Sequence, residues 1–419
     1  MPIVSSFRRN SPHFYRNKEQ LLLNGGIEVG IRTSEKSGRF EESVIREMTR
    51  LFLARGDKPG VNLAQGFPDF SAPESMKEAA CHAILGNVNQ YAITWGAKNL
   101  RNAIADKNEL FYGVRPDPER EITVTCGSTE GMIAAMMALV DTGDEVIIFE
   151  PYYENYGPDA ILSGATPRFI QLRQPDWSFD PEELAKAFNN RTRVIIINTP
   201  NNPTGKVFSR AELILISNLC QKWNVTAISD EIYEHLVYEG THLRIADLPG
   251  MRERTITING LSKTYSATGW RIGWLLAPEE ATNAIRKVHD FLTVGAAAPL
   301  QEGAAHALQF PVEYYSLLTV RYHEKRDFMA DTLLQSGFKL EVPAGAYYIM
   351  TDASELMGKV GFEDDVSFSR WMIEKLGVAT VPGSSFYQNR ADGRTKIRFC
   401  YCKKPETLAF AKELLSVLR

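Results

Sequence analysis

From about residue 119 onward, short runs of apolar, often β-branched residues alternate with longer stretches of helical periodicity. The runs occupy 122–125, 145–149, 194–198, 226–229, 255–259 and 272–276. Their apolar positions are continuous, without polar alternation, which is the pattern of strands covered on both faces. Stretches at 129–140, 181–189 and 210–223 repeat their apolar positions at helical spacing between several of them. This alternation predicts an α/β domain built on a largely parallel sheet. The runs at 255–259 and 272–276 are joined by too little chain for a helical crossover, so antiparallel edge strands are expected there. Toward the C-terminus the pattern changes. A long helical stretch at 313–336 leads into mixed strands and helices, ending in a strand at 395–402 and a helix at 405–418. That part reads as a second, smaller α+β domain.

Composition narrows the picture. With 419 residues, 44% hydrophobic and 23% charged, the chain is ordinary globular material and not fibrous or broadly disordered. The 47 basic and 51 acidic residues give a formal net charge of −4, which argues against nucleic acid or an anionic membrane as partner. No apolar run approaches the ~20 residues of a membrane-spanning helix. The five cysteines, Cys81, Cys126, Cys220, Cys400 and Cys402, are odd in number and scattered. They make neither a disulfide framework nor a zinc knuckle, so a reducing, cytoplasmic setting is expected. Cys400 and Cys402 share one face of a strand and read as core-facing, and the seven histidines show no metal-ligand spacing. No metal site is expected. Residues 1–18 carry Arg8, Arg9, Arg16 and Lys18 without an acid, a faint likeness to a transit peptide. Pro2 and Pro12 oppose an amphipathic helix there, and a loosely ordered arm is the reading.

Ligands of open α/β sheets sit outside the carboxyl ends of the strands, so the residues following each run carry the candidate chemistry. After 122–125 comes Cys126-Gly127-Ser128-Thr129, running into a helix: a phosphate cradle, or ordinary helix N-caps. After 145–149 comes Glu150-Pro151-Tyr152-Tyr153-Glu154-Asn155-Tyr156, a stacking face for a flat heterocycle or rim packing. After 194–198 comes Thr199-Pro200-Asn201-Asn202-Pro203-Thr204-Gly205, a tight turn that also offers amide donors. Asp230 follows 226–229, where an acid is costly to ionise without a cation. Lys263 follows 255–259 in Gly260-Leu261-Ser262-Lys263, with Arg271 farther on in Gly269-Trp270-Arg271. Each of these alone has a bland explanation. Together they match the needs of pyridoxal phosphate: a lysine for its aldehyde, a carboxylate for its ring nitrogen, a stacking face, a donor to its 3-oxygen, and hydroxyls with a cation for its phosphate.

At these motifs, and over most of the chain from about Asn62, the sequence resembles the class I aminotransferases, enzymes of pyridoxal-phosphate fold type I, nearest the kynurenine/glutamine branch and bacterial aspartate and aromatic relatives. The resemblance implies an α/β fold: a large, mostly parallel-sheet α/β/α domain at 62–310, a smaller α+β domain at 41–61 with 311–419, and an arm at 1–40. It implies pyridoxal 5'-phosphate as cofactor, with Lys263 carrying it and moving the proton, Asp230 on the ring nitrogen, and Tyr233 and Asn202 on the 3-oxygen. It places Tyr153 on the ring face, and Ser128, Thr129 and Arg271 on the phosphate. Tyr91 resembles the tyrosine that reaches the phosphate from a partner subunit, implying a homodimer with shared active sites. Arg398, which strand alternation alone would turn to solvent, matches the arginine for the substrate α-carboxylate; Gly66 matches the loop that approaches the same group. Many relatives have a phosphate-binding serine where this chain has Gly260, and Ser262 is the candidate replacement.

The implied activity is transfer of an amino group from an L-amino acid to a 2-oxo acid such as 2-oxoglutarate, in a ping-pong cycle. A pyridoxal-phosphate lyase acting on a C–S bond is the enzyme alternative, since fold and cofactor do not separate the two. A regulator with an aminotransferase-like effector domain is the alternative of another class; residues 1–60 are too poor in helical pattern for its winged helix-turn-helix.

Overall fold

The computed structural model describes residues 31 and 33–418. Most of the arm expected at 1–40 therefore lies outside the described residues. Among the described residues the central sheet has seven strands: β2 (Ile122–Thr125), β3 (Glu145–Glu150), β4 (Thr166–Gln171), β5 (Thr192–Asn198), β6 (Thr226–Asp230), β7 (Thr255–Gly260) and β8 (Gly273–Leu276), after a short β1 (Val61–Asn62) outside it. Their spatial order is β2-β8-β7-β6-β5-β3-β4. All pairings are parallel except those of β8, which runs antiparallel to β7 and to β2. The short connection between β7 and β8 does give an antiparallel pair, but β8 is not an edge: β2 covers its far side.

Continuous apolar runs produce this sheet because both faces are covered. Ile147, Phe149, Ile195 and Ile197 pack into one core, and the alternate residues Val146, Ile148, Val194 and Ile196 into another. β4 went unread in the sequence for the converse reason. As an edge strand it keeps Thr166 and Arg168 exposed, and Pro167 interrupts its apolar pattern.

A second, antiparallel sheet has the order β12-β13-β10-β9, from β9 (Lys339–Leu340), β10 (Tyr348–Asp352), β12 (Val381–Pro382) and β13 (Lys396–Cys400). It packs with the long helix Val312–Gln335 and the helix Pro405–Leu415 around Phe338, Tyr347 and Phe399. β1 pairs in parallel with β11 (Val378–Ala379), which brings the chain at 61–67 alongside this second sheet. Cys400 and Cys402 are buried, and all five cysteines are free thiols.

Candidate active site

Because β2, β3, β5, β6 and β7 run in one direction, Thr125, Glu150, Asn198, Asp230 and Gly260 all end at the same edge of the sheet. A cavity of about 290 Å³ opens there. Ser128, Thr129, Tyr153, Asn202, Asp230, Tyr233, Lys263 and Arg271, far apart in sequence, all line it.

One end of the cavity is the N-terminus of the helix Ser128–Leu139. Unpaired N–H groups and the helix dipole make such a terminus attractive to anions. Gly127 caps it with φ of 83°, and a Cβ there would lie 2.4 Å from Nη2 of Arg271. Glycine thus lets the guanidinium come down onto the helix end. Arg271 donates to the Thr268 carbonyl (3.0 Å) and reaches Thr129 Oγ1 (3.5 Å), and among the described residues no carboxylate pairs with it. Ser262 lines the same cavity, whereas Gly260 ends β7 tightly packed against Ile232 and Ile272.

Asp230 is buried at the end of β6, beside Asn198 in the ladder. Its Oδ2 accepts from the Tyr156 hydroxyl (2.6 Å) and its Oδ1 from the Ile232 N–H (3.2 Å). Burial pushes its carboxyl above the usual range, against the pull of those two bonds and of Lys263. Asn198 donates to the Asp230 carbonyl and accepts from the Asn202 N–H (2.7 Å), which fixes the turn carrying Asn202. Tyr153 packs edge-on to Tyr156, and burial raises its phenol to about 12.

Lys263 Nζ donates to the carbonyl of Gly66 (3.3 Å) and forms no ion pair with Asp230. Burial lowers its amine to about 8. The Gly66 carbonyl also accepts from Tyr347, and a Cβ on Gly66 would sit 2.0 Å from the Tyr348 hydroxyl. The tyrosine packed against it is what demands a glycine there. Arg398 is completely buried on β13. It donates to Asn202 Oδ1 (3.0 Å) and the Ala64 carbonyl (2.6 Å), with its guanidinium over the rings of Tyr348 and Phe386. Among the described residues it has no carboxylate partner, and its Nε has no hydrogen bond at all. The solvent-facing orientation suggested by alternation is therefore wrong: both faces of β13 are covered. Tyr233 donates to Tyr348 (3.1 Å) above this arginine.

Tyr91 stands apart, 86% exposed and away from the cavity of its own chain. Sequence reasoning missed Tyr156, Asn198, Tyr348 and Arg46, which also line the cavity. Tyr156 lay inside the aromatic cluster after β3, but nothing in the cluster itself said which tyrosine meets the acid. Arg46 belongs to the helix Val44–Leu53, and no local pattern ties that helix to the sheet edge.

The arrangement has the fold of the pyridoxal-phosphate fold type I aminotransferases. The chain belongs to the aminotransferase class I and II family, whose model matches residues 58–414. It is 39% identical to kynurenine–oxoglutarate transaminase 1 of Rattus norvegicus over 387 residues, 85% of this chain and 91% of the relative. It is 38% identical to the methionine aminotransferase of Escherichia coli (strain K12) over 359 residues, 85% of this chain and 92% of the relative. Among solved structures, N-succinyldiaminopimelate aminotransferase from Mycobacterium tuberculosis superposes with a TM-score of 0.88 at 38% identity, covering 93% of this chain and all of that one (100%). The protein is an aminotransferase, and these relatives favour transamination over the C–S lyase alternative. Among the described residues no helix is long and apolar enough to cross a membrane.

Proposed function

We propose that the cavity takes pyridoxal 5'-phosphate and that the protein moves the amino group of an L-amino acid to a 2-oxo acid such as 2-oxoglutarate, in two half-reactions run through this one site. The observation carrying the reading is that Lys263 and Asp230 line one cavity without pairing with each other. A buried acid facing an open cavity suits a ligand that brings its own cation. The donors fit as well. The helix terminus with Arg271 suits a phosphate, and Asn202, whose Oδ1 is taken by Arg398, has an amide N–H₂ with no acceptor among the described residues.

When bound, the cofactor supplies an electron sink for the bonds at the substrate Cα. The chain's own residues do the rest. Asp230, oriented by Tyr156, would hold a proton on the ring nitrogen. Lys263, whose amine burial lowers to about 8, would carry the cofactor through its aldehyde. Its Nζ would also be the group to take and return the proton of the substrate Cα. Tyr153 would cover the ring, Asn202 would donate to the 3-oxygen together with Tyr233, whose hydroxyl would turn from Tyr348 to do so, and Ser128, Thr129 and Arg271 would hold the phosphate. Arg398 receives the α-carboxylate through its planar fork, which would satisfy its unpaired charge, with the loop at Gly66 alongside.

A homodimer with shared active sites completes the proposal, Tyr91 reaching the partner's phosphate. The exposed Ile93, Phe291 and Val294 support it: they flank this segment, whose Thr94 carbonyl is held 2.9 Å from His289 Nε2. The free thiols support a cytoplasmic setting.

Purified protein supplied with pyridoxal phosphate should convert 2-oxoglutarate to glutamate at the expense of an amino donor, kynurenine and methionine being the first to try. Pyruvate and ammonia appearing without any acceptor would turn the assignment to the lyase. Lys263→Ala should lower turnover by roughly 10²- to 10⁴-fold while still holding cofactor.

A further inference from the structure

The cavity is lined by more positive charge than cofactor and α-carboxylate use. Lys263 is reserved for the aldehyde and Arg271 for the phosphate, and Arg398 waits behind Asn202 for one carboxylate. Arg46 is left over. Its helix is fixed against the sheet edge: the N-cap Ser43 donates to Glu154 Oε1 (2.6 Å), beside Tyr153, Met48 is fully buried, and Glu47 pairs with Arg370 (2.7 Å). Arg46 follows on the first turn and lines the cavity rim, where Asn155 also contributes.

The acids around Arg46 are engaged elsewhere. Glu42 pairs with Arg50, which dominates its lowered pKa, with Arg46 only a minor influence. Glu47 pairs with Arg370, Glu41 with Arg390, and Glu154 accepts from Ser43. Among the described residues the Arg46 guanidinium has no ion pair, and Asp230, on the cavity wall, is held by Tyr156 and Ile232. A planar fork left free at the mouth of a substrate cavity is suited to a carboxylate.

We propose that Arg46 is a specificity-determining residue: it receives the distal carboxylate of a dicarboxylic substrate, an amino or oxo acid of the glutamate and 2-oxoglutarate class, while Arg398 holds the α-carboxylate. This deepens the proposed function and rests on it. Substrates with an uncharged side chain bind without Arg46, so the residue separates the two halves of the cycle when donor and acceptor differ in charge.

The test compares wild-type holoenzyme with Arg46→Gln and Arg46→Lys, using 2-oxoglutarate and the monocarboxylic 2-oxobutyrate as acceptors for one donor. Arg46→Gln should raise KM for 2-oxoglutarate by about 10- to 100-fold, the value of a charge-assisted contact, and leave kcat/KM for 2-oxobutyrate within ~3-fold. Arg46→Lys should recover part of the loss. Titration with glutarate and butyrate as unreactive probes should weaken for glutarate alone, and the affinity for pyridoxal phosphate should not change. Equal losses for both acceptors, no loss for either, or weakened cofactor binding would overturn the assignment. A wild-type enzyme that transfers no amino group from any donor would instead overturn the proposed function.

Discussion

Asp230 and Glu231 are neighbours in sequence, both buried at the carboxyl end of β6, and they have opposite electrostatic lives. Glu231 points away from the cavity into a closed network. Arg244 lies 3.6 Å from it, His242 Nε2 3.1 Å, and the Ser229 hydroxyl donates at 2.8 Å. Nearby, Glu234 pairs with Lys107 and accepts from Tyr112. Glu231, Glu234 and His242 come close enough together to resemble a metal-ligand set. Arg244 and Lys107 already supply the positive charge. Among the described residues Asp230 accepts from neutral donors only, and its facing amine, Lys263, forms no ion pair. The difference separates structure from function. One acid has its charge matched within the fold, and the other has no cation paired with it among the described residues, as the proposed cofactor site requires.

Breaking each acid should therefore do different things. Asp230→Asn should lower turnover by roughly 10²- to 10³-fold through loss of the protonated ring nitrogen. The same substitution should leave the cofactor-free fold as stable as wild type or more so. Its folded pKa is raised, so the folded state holds the proton longer than the unfolded one, and stability declines as pH rises through that window. Urea unfolding of cofactor-free protein should show the variant gaining most on the alkaline side. A variant less stable than wild type at every pH would erase the contrast.

Glu231→Ala should act in the other direction. Removing the nearer carboxylate of the buried Arg244, which then keeps only the longer contact to Asp247 (3.9 Å) and its bond to Asn108, should cost about 3–5 kcal/mol of stability, read from the same unfolding curves. Whatever fraction stays folded should keep its cofactor spectrum. The neighbouring Glu234 gives the matching pH sign. Burial raises its carboxyl, but Lys107 and His235 outweigh that and hold it well below the usual range. Its contribution is present above the unfolded pKa and is lost as pH falls.

The smallest effect belongs to the orienting group. Tyr156→Phe removes one 2.6 Å bond to Asp230, and cofactor affinity should drop by about 2- to 10-fold, measured by absorbance titration. No change would mean that the acid is positioned by the backbone alone.

The comparison also marks what the sequence discloses. Acids, amides and the lysine after buried strands were legible, because continuous apolar runs announce a parallel sheet and its carboxyl edge is where ligands gather. The α/β class and most strands of the central sheet followed from the same runs. What was hidden depends on contacts between distant segments. Arg398 reads as solvent-facing until Phe386, Tyr348 and the chain at Ala64 close over it. β4 carries a proline and exposed polar residues because it is an edge. The partners of Glu231 and Glu234 come from the helix Lys98–Tyr112 and from the chain at 242–244, and no local pattern pairs them. Arg46 was invisible for the same reason: its position is set by Ser43 meeting Glu154 across the fold.

One measurement bears most directly on the claim that an amine and a carboxylate are held apart in one cavity for a pyridoxal ring. Protein reconstituted with pyridoxal phosphate is reduced with borohydride across a pH series, digested, and the modified lysine mapped. The expected result is a single adduct on Lys263, forming most readily from about pH 8 upward, where its amine loses its proton. Modification spread over other lysines, or confined to one outside the cavity, would contradict it.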